Sequence, residues 1–533
     1  MGDAPQQSVH WWQTRWFVVA IALASVIPLI WPTIPPMVDL PGHMGRYRVQ
    51  LDIGRDPWFS QWYSFHWQLI GNLGIDLLVI PLSKVFGLVL AVKLIVMTIP
   101  LLIVSGLLWI AREVHGRIPA TALFALPLAY SYPFHFGFVN FALSMALALN
   151  AFALWLRLAR LDRLRLRAAL FVPLSCLLWL CHTYGWGTLG VLAFSAELVR
   201  VHDKGQYRRG RGWIKSAVIA GLHCLPLCLP IAMMIIWRGG QHVSGQTTDW
   251  FNWRLKWRWV KDILRDRWKD FDLASLAVIA LLLVKSLRDR TIAYSRNLTL
   301  SALFLFAVYL VLPRIVFGSA YADMRLAPFA LAVLVIALRE RPGYQMRDAS
   351  LVAAIGLVFT LVRLTATTVS FGLYAQTYKT ELTALDHVPV GARVLGLVGG
   401  HCYDPWAMSR LEHLPAMVMV ERRGFSNDQW EMPGAQLMTV TYRGAIPFAH
   451  DPSEIVTERK CPRQWWHTIN QTLAWFPRSA FDYVWLINPP PYDPALASDL
   501  TPVWRAGTSV LYKVPEKQPP LAEREAAATL KLS

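Results

Sequence analysis

The chain has 533 residues, 55% hydrophobic and only 16% charged, with a mean hydropathy of +0.36 and a formal net charge of +18. Soluble proteins carry about 25% charged residues, so this composition excludes an ordinary soluble domain. The positive excess does not indicate nucleic acid as a partner: much of it sits in short loops between apolar runs, where Lys and Arg hold loops in the cytoplasm.

Taken in chain order, the apolar runs predict a polytopic α-helical membrane protein of about eleven spans. Residues 1–15 are polar and no cleavage site follows the first apolar run, so Trp16–Trp31 is expected to be an uncleaved first span. Residues 32–71 form a polar, aromatic loop. The apolar stretch 73–88 is short and interrupted by Pro81 and Lys84, as in a juxtamembrane or re-entrant helix. Further spans are predicted near 89–111, 118–132, 137–157, 166–181, 184–200, 213–237, 271–287, 297–314, 325–339 and 349–372.

Charge orients these spans. Arg157, Arg160, Arg163, Arg165 and Arg167 crowd one loop; Arg200, Lys204, Arg208, Arg209, Arg211 and Lys215 crowd another. Lys285, Arg288, Arg290 and Arg296 mark a third, and Arg339, Arg341 and Arg347 a fourth. All four fall in the cytoplasm if residues 168–199 cross and return as two short helices hinged at His182-Thr183-Tyr184-Gly185. The loops 32–71 and 238–270 and the C-terminal domain then lie outside, which predicts a multi-pass protein of the bacterial inner membrane with a periplasmic or extracellular C-terminal domain. One loop opposes this topology: residues 250–269 hold seven Lys or Arg residues. Their alternation with Trp suits an amphipathic helix lying on the membrane surface.

After residue 372 the apolar runs shorten to strand length. Arg393–Val398, Ala416–Val420, Tyr483–Ile487 and Ser509–Val514 are expected strands of an external α/β domain spanning 373–515. Residues 516–533, rich in Pro, Ala, Glu and Lys, are expected to be a disordered tail. Residues 1–372 form the membrane module. Cys224 and Cys228, spaced i, i+4 in an apolar helix, suit packing better than metal binding. Cys402 and Cys461 lie in the external domain, where a disulfide would persist.

Several polar residues stand near predicted helix ends on the outer side. Asp39 follows the first span closely, with His43 and Arg46 beside it; it is either a general base facing a cavity or a solvated loop acid. Asn140 follows the turn Tyr132–Val139 and is either a cap or an interhelical hydrogen bond. His182 sits at the hinge, as a ligand or as a packed histidine. Arg314 and the run Tyr321-Ala322-Asp323-Met324-Arg325 bracket another outer turn; Asp323 and Arg325 either pair with each other or serve phosphate binding. Asp270-Phe271-Asp272 has the form of a DxD motif but opens an apolar helix. Walker A, GxGxxG and HExxH motifs are absent, and no metal-ligand set is read. No resident cofactor is expected, with a divalent cation left open.

The segment Val38-Asp39-Leu40-Pro41-Gly42-His43-Met44-Gly45-Arg46 resembles the Asp-x-Pro-x-His-x-x-Arg signature of an uncharacterised bacterial branch of the GT-C superfamily of integral membrane glycosyltransferases. The segments 134–157 and 321–329 resemble later parts of the same proteins, and the resemblance extends over nearly the whole chain. Its first-loop acid is a single Asp followed by Leu rather than paired acids. The resemblance implies transfer of a sugar from a polyprenyl-phosphate donor to an envelope glycan or lipid acceptor at the outer face of the membrane. Asp39 would be the catalytic base, with His43 beside it; Arg46, His182, Arg314, Asp323 and Arg325 would serve the donor phosphate. Membrane lipids complete the expected partners. The alternatives are a transporter or flippase, which would favour inverted repeats that are not seen, and a non-catalytic scaffold for envelope assembly.

Overall fold

The computed structural model describes residues 10–205, 212–239, 245–341, 344–432 and 434–515. The predicted tail and Arg208, Arg209 and Arg211 of the second basic loop lie outside the described residues.

Four helices among the described residues are long and apolar enough to cross a membrane: Leu88–His115, Val139–Arg160, Leu164–Cys181 and Met346–His387. The pair Trp213–His223 and Leu225–Trp237, bent by 49°, adds a fifth if it is one span; Arg15–Leu29 and Arg296–Val311 are apolar but shorter. The expected count of about eleven is therefore not matched by helix length. The predicted span 118–132 is instead a 3-10 helix, Ala120–Tyr130, with every residue buried. The predicted span 325–339 contains only ten helical residues, Ala327–Ile336. An apolar run records burial, and burial within protein reads the same as burial in lipid. The hinge does lie at His182: its extended backbone separates Leu164–Cys181 from Thr183–Lys204.

The C-terminal segment builds a seven-stranded mixed sheet. Arg393–Gly399 runs parallel to Tyr483–Ile487 on one side and to Ile455–Thr457 on the other, with Ser509–Lys513 antiparallel beyond Tyr483–Ile487. The central strands are buried on both faces, which explains their unbroken apolar character. Ala416–Val420, expected as a strand, is instead the start of a short helix, Met417–Arg422. A five-residue apolar run does not carry enough periods to separate helix from strand. Cys402 and Cys461 are disulfide-bonded with Cα atoms 5.1 Å apart and a sequence separation of 59. On the chain-entropy model such a loop closure stabilises by about 4 kcal/mol. The double variant Cys402→Ser/Cys461→Ser is thus expected to lower the denaturation midpoint of the C-terminal domain; an unchanged midpoint would show that the bond contributes nothing.

The first loop, expected to be irregular, holds a helix, Leu40–Asp52, with nine buried residues. Two glycines and a proline give it a loop-like composition. Those glycines permit close docking of the C-terminal domain. A Cβ on Gly42 would meet the Trp430 ring at 2.5 Å, and one on Gly45 would meet Met419 Sδ at 2.9 Å. Tyr63–Phe65 adds an antiparallel pairing with Met438–Val440, so the loop is tied to the domain at both ends. Gly42→Val is expected to destabilise this contact by about 1–3 kcal/mol through overpacking against a rigid indole. Faster proteolysis of the C-terminal domain in the variant would register the effect; wild-type resistance would show that Trp430 gives way.

The basic loop that opposes the predicted topology has part of its charge paired with acids. Its helix, Trp253–Lys261, buries Lys256 and Trp259. Lys256 Nζ lies 3.1 Å from Asp323 Oδ2, both nearly fully buried. Arg265 pairs with Asp262 at 3.1 Å and Asp404 at 2.6 Å, and Arg258 also reaches Asp404. Three of the seven cations counted as loop charge, Lys256, Arg258 and Arg265, are thus held in ion pairs, whereas the topology rule concerns charge left in solvated loops.

Candidate functional site

The site is centred on Asp39. Its backbone N–H donates to the Phe136 carbonyl at 2.9 Å, and Val38 N–H donates to His135 O at 3.4 Å. The turn that receives them closes at Gly137 with φ of 102°; a Cβ there would come within 2.8 Å of Asp39 N. Glycine at 137 therefore has two local reasons, a left-handed conformation and a close backbone approach. Asp39 occupies the N-cap position of Leu40–Asp52, yet its side chain caps nothing. An N-cap Asp ordinarily accepts a backbone N–H of the first turn. Here the carboxylate is turned away from that duty and retains 14% exposure of its side chain.

Around it the structure gathers groups from distant parts of the chain. His413 Nε2 stands 4.0 Å from Asp39 Oδ1. Arg325, Glu412 and Asp451 lie close enough to act on the charge of Asp39. Burial pushes the Asp39 carboxyl well above the usual carboxylate range; Glu412 and Asp451 push the same way, and Arg325 opposes them. A neighbouring arginine alone would depress this carboxyl, but desolvation and two further acids outweigh the one guanidinium. His43 is held well below the ordinary imidazole range by burial, then by Arg46, His413 and Arg325. It is consequently a neutral ring, set edge-on to Trp430 at 5.1 Å. Glu412 is raised to about 7 by burial and by Asp451.

Arg325 is buried beside the hinge. Its Nη1 is 3.4 Å from His182 Nε2, while His182 Nδ1 accepts from Tyr184 N–H at 3.2 Å. The guanidinium lies over Phe138 at 4.2 Å, with Phe141 and Tyr184 at 5.8 and 5.7 Å. No carboxylate among the described residues pairs with Arg325, and its Nε has no hydrogen-bond partner. An arginine held by aromatic faces and an imidazole keeps its forked donors available for an oxyanion.

The other expected phosphate ligands are occupied elsewhere. Arg46 is paired with Asp76 at 3.0 Å, both side chains 2% exposed. Asn140 donates to that same Asp76 at 2.9 Å and accepts from Ile75 N–H at 2.7 Å, which makes it an interhelical tie. Asp323 is the partner of Lys256 rather than of Arg325. Arg314 pairs with Asp249 at 2.6 Å and is about a quarter exposed; it touches the site only through Tyr321, whose ring lies 5.8 Å away. The DxD acid Asp272 is a structural partner: Arg363 at 2.7 Å and Trp406 Nε1 at 2.8 Å both address it. Asp39, His43, His182 and Arg325 thus share one neighbourhood, whereas Arg46 and Asp323 belong to buried ion pairs around it.

No family model and no curated protein matches the chain. Among solved structures, the crystal structure of ArnT from Cupriavidus metallidurans bound to undecaprenyl phosphate is similar with a TM-score of 0.49 and 12% identity, over 94% of this chain and 98% of that one. The same protein in its apo state is similar with a TM-score of 0.46 and 11% identity over the same shares.

Sequence reasoning misses Glu412, His413, Asp428, Asp451 and Glu454. All lie in the C-terminal domain, which sequence patterning describes only through its apolar runs. The available signal is only that acids recur close together, in the pair Glu412-His413 and the run Asp451-Pro452-Ser453-Glu454, of which His413 and Glu454 are buried.

Proposed function

We propose that this protein is an inverting glycosyltransferase that moves a sugar from a polyprenyl-phosphate donor to a glycan or lipid acceptor at the outer face of the bacterial inner membrane. One observation carries the reading: a carboxylate that caps no helix, Asp39, and a buried arginine without a carboxylate ion-pair partner, Arg325, lie close enough to act on each other's charge. The carboxylate is the general base and the arginine the phosphate ligand.

Asp39 takes the proton of the acceptor hydroxyl as its oxygen bonds to the anomeric carbon. The bond from that carbon to the phosphate oxygen breaks, and its electron pair leaves with the lipid phosphate. No acid is needed at the leaving group. Charge accumulating on the phosphate is met by Arg325, whose position is fixed before the reaction by Phe138 and His182. His43 stays uncharged and packs against Trp430, so its part is to shape the wall beside Asp39. An apolar cleft of about 550 Å³ begins at Trp186, two residues beyond Tyr184, and is lined by Val191, Phe194, Leu227 and Phe304. Its apolar lining suits an isoprenoid chain.

The test is release of the carrier. Detergent-solubilised protein is incubated with polyprenyl-phosphate-linked sugars and membrane lipid acceptors, and free polyprenyl phosphate is measured by mass spectrometry. Acceptor-dependent release supports the reading. Absence of release with every donor, while the protein remains folded and monodisperse, would overturn it.

A further inference from the structure

We infer that His413, Asp451 and Glu454 form a divalent-cation site that pins separate stretches of the C-terminal domain together beside the first loop. One ligand atom from each of these residues lies within 4.8 Å of the others. A cation bonded at about 2.1 Å to each would draw such atoms together by roughly 1 Å, a shift within reach of side-chain rotation.

A second observation points independently to a ligand. Glu454 is fully buried, and neither of its carboxylate oxygens has a hydrogen-bond partner. Among the described residues no Lys or Arg forms an ion pair with Asp451 or Glu454. Asp428, also fully buried, leaves its Oδ2 without a partner 4.0 Å from His413 Nδ1. Buried polar groups are rarely left unpaired, and three neighbouring carboxyls without a cation are costly. A cation held by His413, Asp451 and Glu454 supplies the missing partner for two of them, Asp451 and Glu454.

The imidazole is oriented as a ligand requires. His413 Nδ1 lies 3.2 Å from the Asp428 carbonyl oxygen. A proton on Nδ1 donates to that carbonyl and leaves the Nε2 lone pair for the cation, the arrangement in which an outer partner fixes the tautomer of a metal-binding histidine. The same Nε2 stands 4.0 Å from Asp39 Oδ1. One nitrogen and two carboxylates favour zinc or manganese over magnesium or calcium, which prefer all-oxygen sets. The site's role is positioning: residue 413 and residues 451–454 are separated in sequence, and a shared cation fixes both against the loop that carries Asp39. The inference does not depend on the proposed transferase activity.

Full-length protein in detergent is stripped with a chelator, loaded separately with Zn2+ and Mn2+, gel-filtered and assayed for bound metal. One of the two is expected to remain at about one per chain in the wild type, falling below about one tenth in Glu454→Gln and in Asp451→Asn. Binding should survive in Cys224→Ser/Cys228→Ser, which removes the rival thiol pair. Wild-type protein that holds neither metal would overturn the site and leave a shared proton between Asp451 and Glu454 as the neutralising charge. Equal loading of the carboxyl variants, or loss of binding with the cysteines, would overturn it also. Should the variants fail to fold, Co2+ bound to the wild type decides: d–d bands without thiolate charge transfer support the site, and a thiolate band refutes it.

Discussion

Asp39→Asn is expected to lower kcat by about 10²–10⁴-fold, the usual contribution of a general base, while leaving folding and lipid binding intact. The isosteric amide keeps the shape of the site, and the carboxylate caps no helix that would be lost with it. The pH profile supplies a second readout. Asp39 works as a base only when ionised, and its carboxyl is raised well above the ordinary range by burial, then by Glu412 and Asp451. In protein stripped of divalent cations, activity should therefore climb with pH through a midpoint above the ordinary Asp value of about 3.9. Removing one of the raising charges, as in Glu412→Gln, should move that midpoint down. Transfer assays across pH on wild type, Asp39→Asn and Glu412→Gln check both statements. Wild-type turnover in Asp39→Asn would eliminate this residue as the base.

Arg325→Gln is expected to lower kcat/KM by about 10²–10³-fold, the scale of losing one preorganised donor to a developing oxyanion. Arg325→Lys should recover only part of this, since an ammonium lacks the forked donors and the flat face that Phe138 covers. Two neighbouring arginines serve as comparisons because the fold assigns them different work. Arg46→Gln breaks a fully buried ion pair with Asp76, so it should cost about 3–5 kcal/mol of stability and appear as lost protein rather than as a slower enzyme. Arg314→Gln breaks a partly exposed pair with Asp249, and should change turnover far less than Arg325→Gln does. Steady-state kinetics beside thermal unfolding of each variant separates the three roles. Equal losses of kcat/KM in Arg314→Gln and Arg325→Gln would remove the distinction drawn between them.

Together the two experiments divide the chemistry from its support. Among the described residues around the site and outside the His413 cluster, Asp39, Glu412 and Arg325 form no ion pair with a Lys, Arg, Asp or Glu, whereas most of the buried charges beyond them do. Arg363 is matched by Asp272 at 2.7 Å, Lys256 by Asp323, and Arg410 by Asp266. A chain that neutralises its buried charges so consistently makes the unneutralised ones informative.

The sequence by itself determined the apolar helical class, the hinge at His182 and three strands of the C-terminal sheet. These follow from local quantities: run length, loop composition, and a polar residue at the end of an apolar stretch. Which apolar runs reach across a membrane was decided only in the folded molecule, because Ala120–Tyr130 is apolar for burial against other helices rather than against lipid. The roles of the arginines were likewise out of reach. Arg46, Arg314 and Arg325 look alike in a sequence; what separates them is that Asp76 and Asp249 pair with the first two, whereas no carboxylate among the described residues forms an ion pair with Arg325. The upward direction of the Asp39 shift comes first from burial in the folded molecule and then from Glu412 and Asp451, more than 370 residues away along the chain. Local patterning is set by neighbours in sequence, but ion pairing and desolvation are set by neighbours in space, and here those neighbours come from the opposite end of the chain.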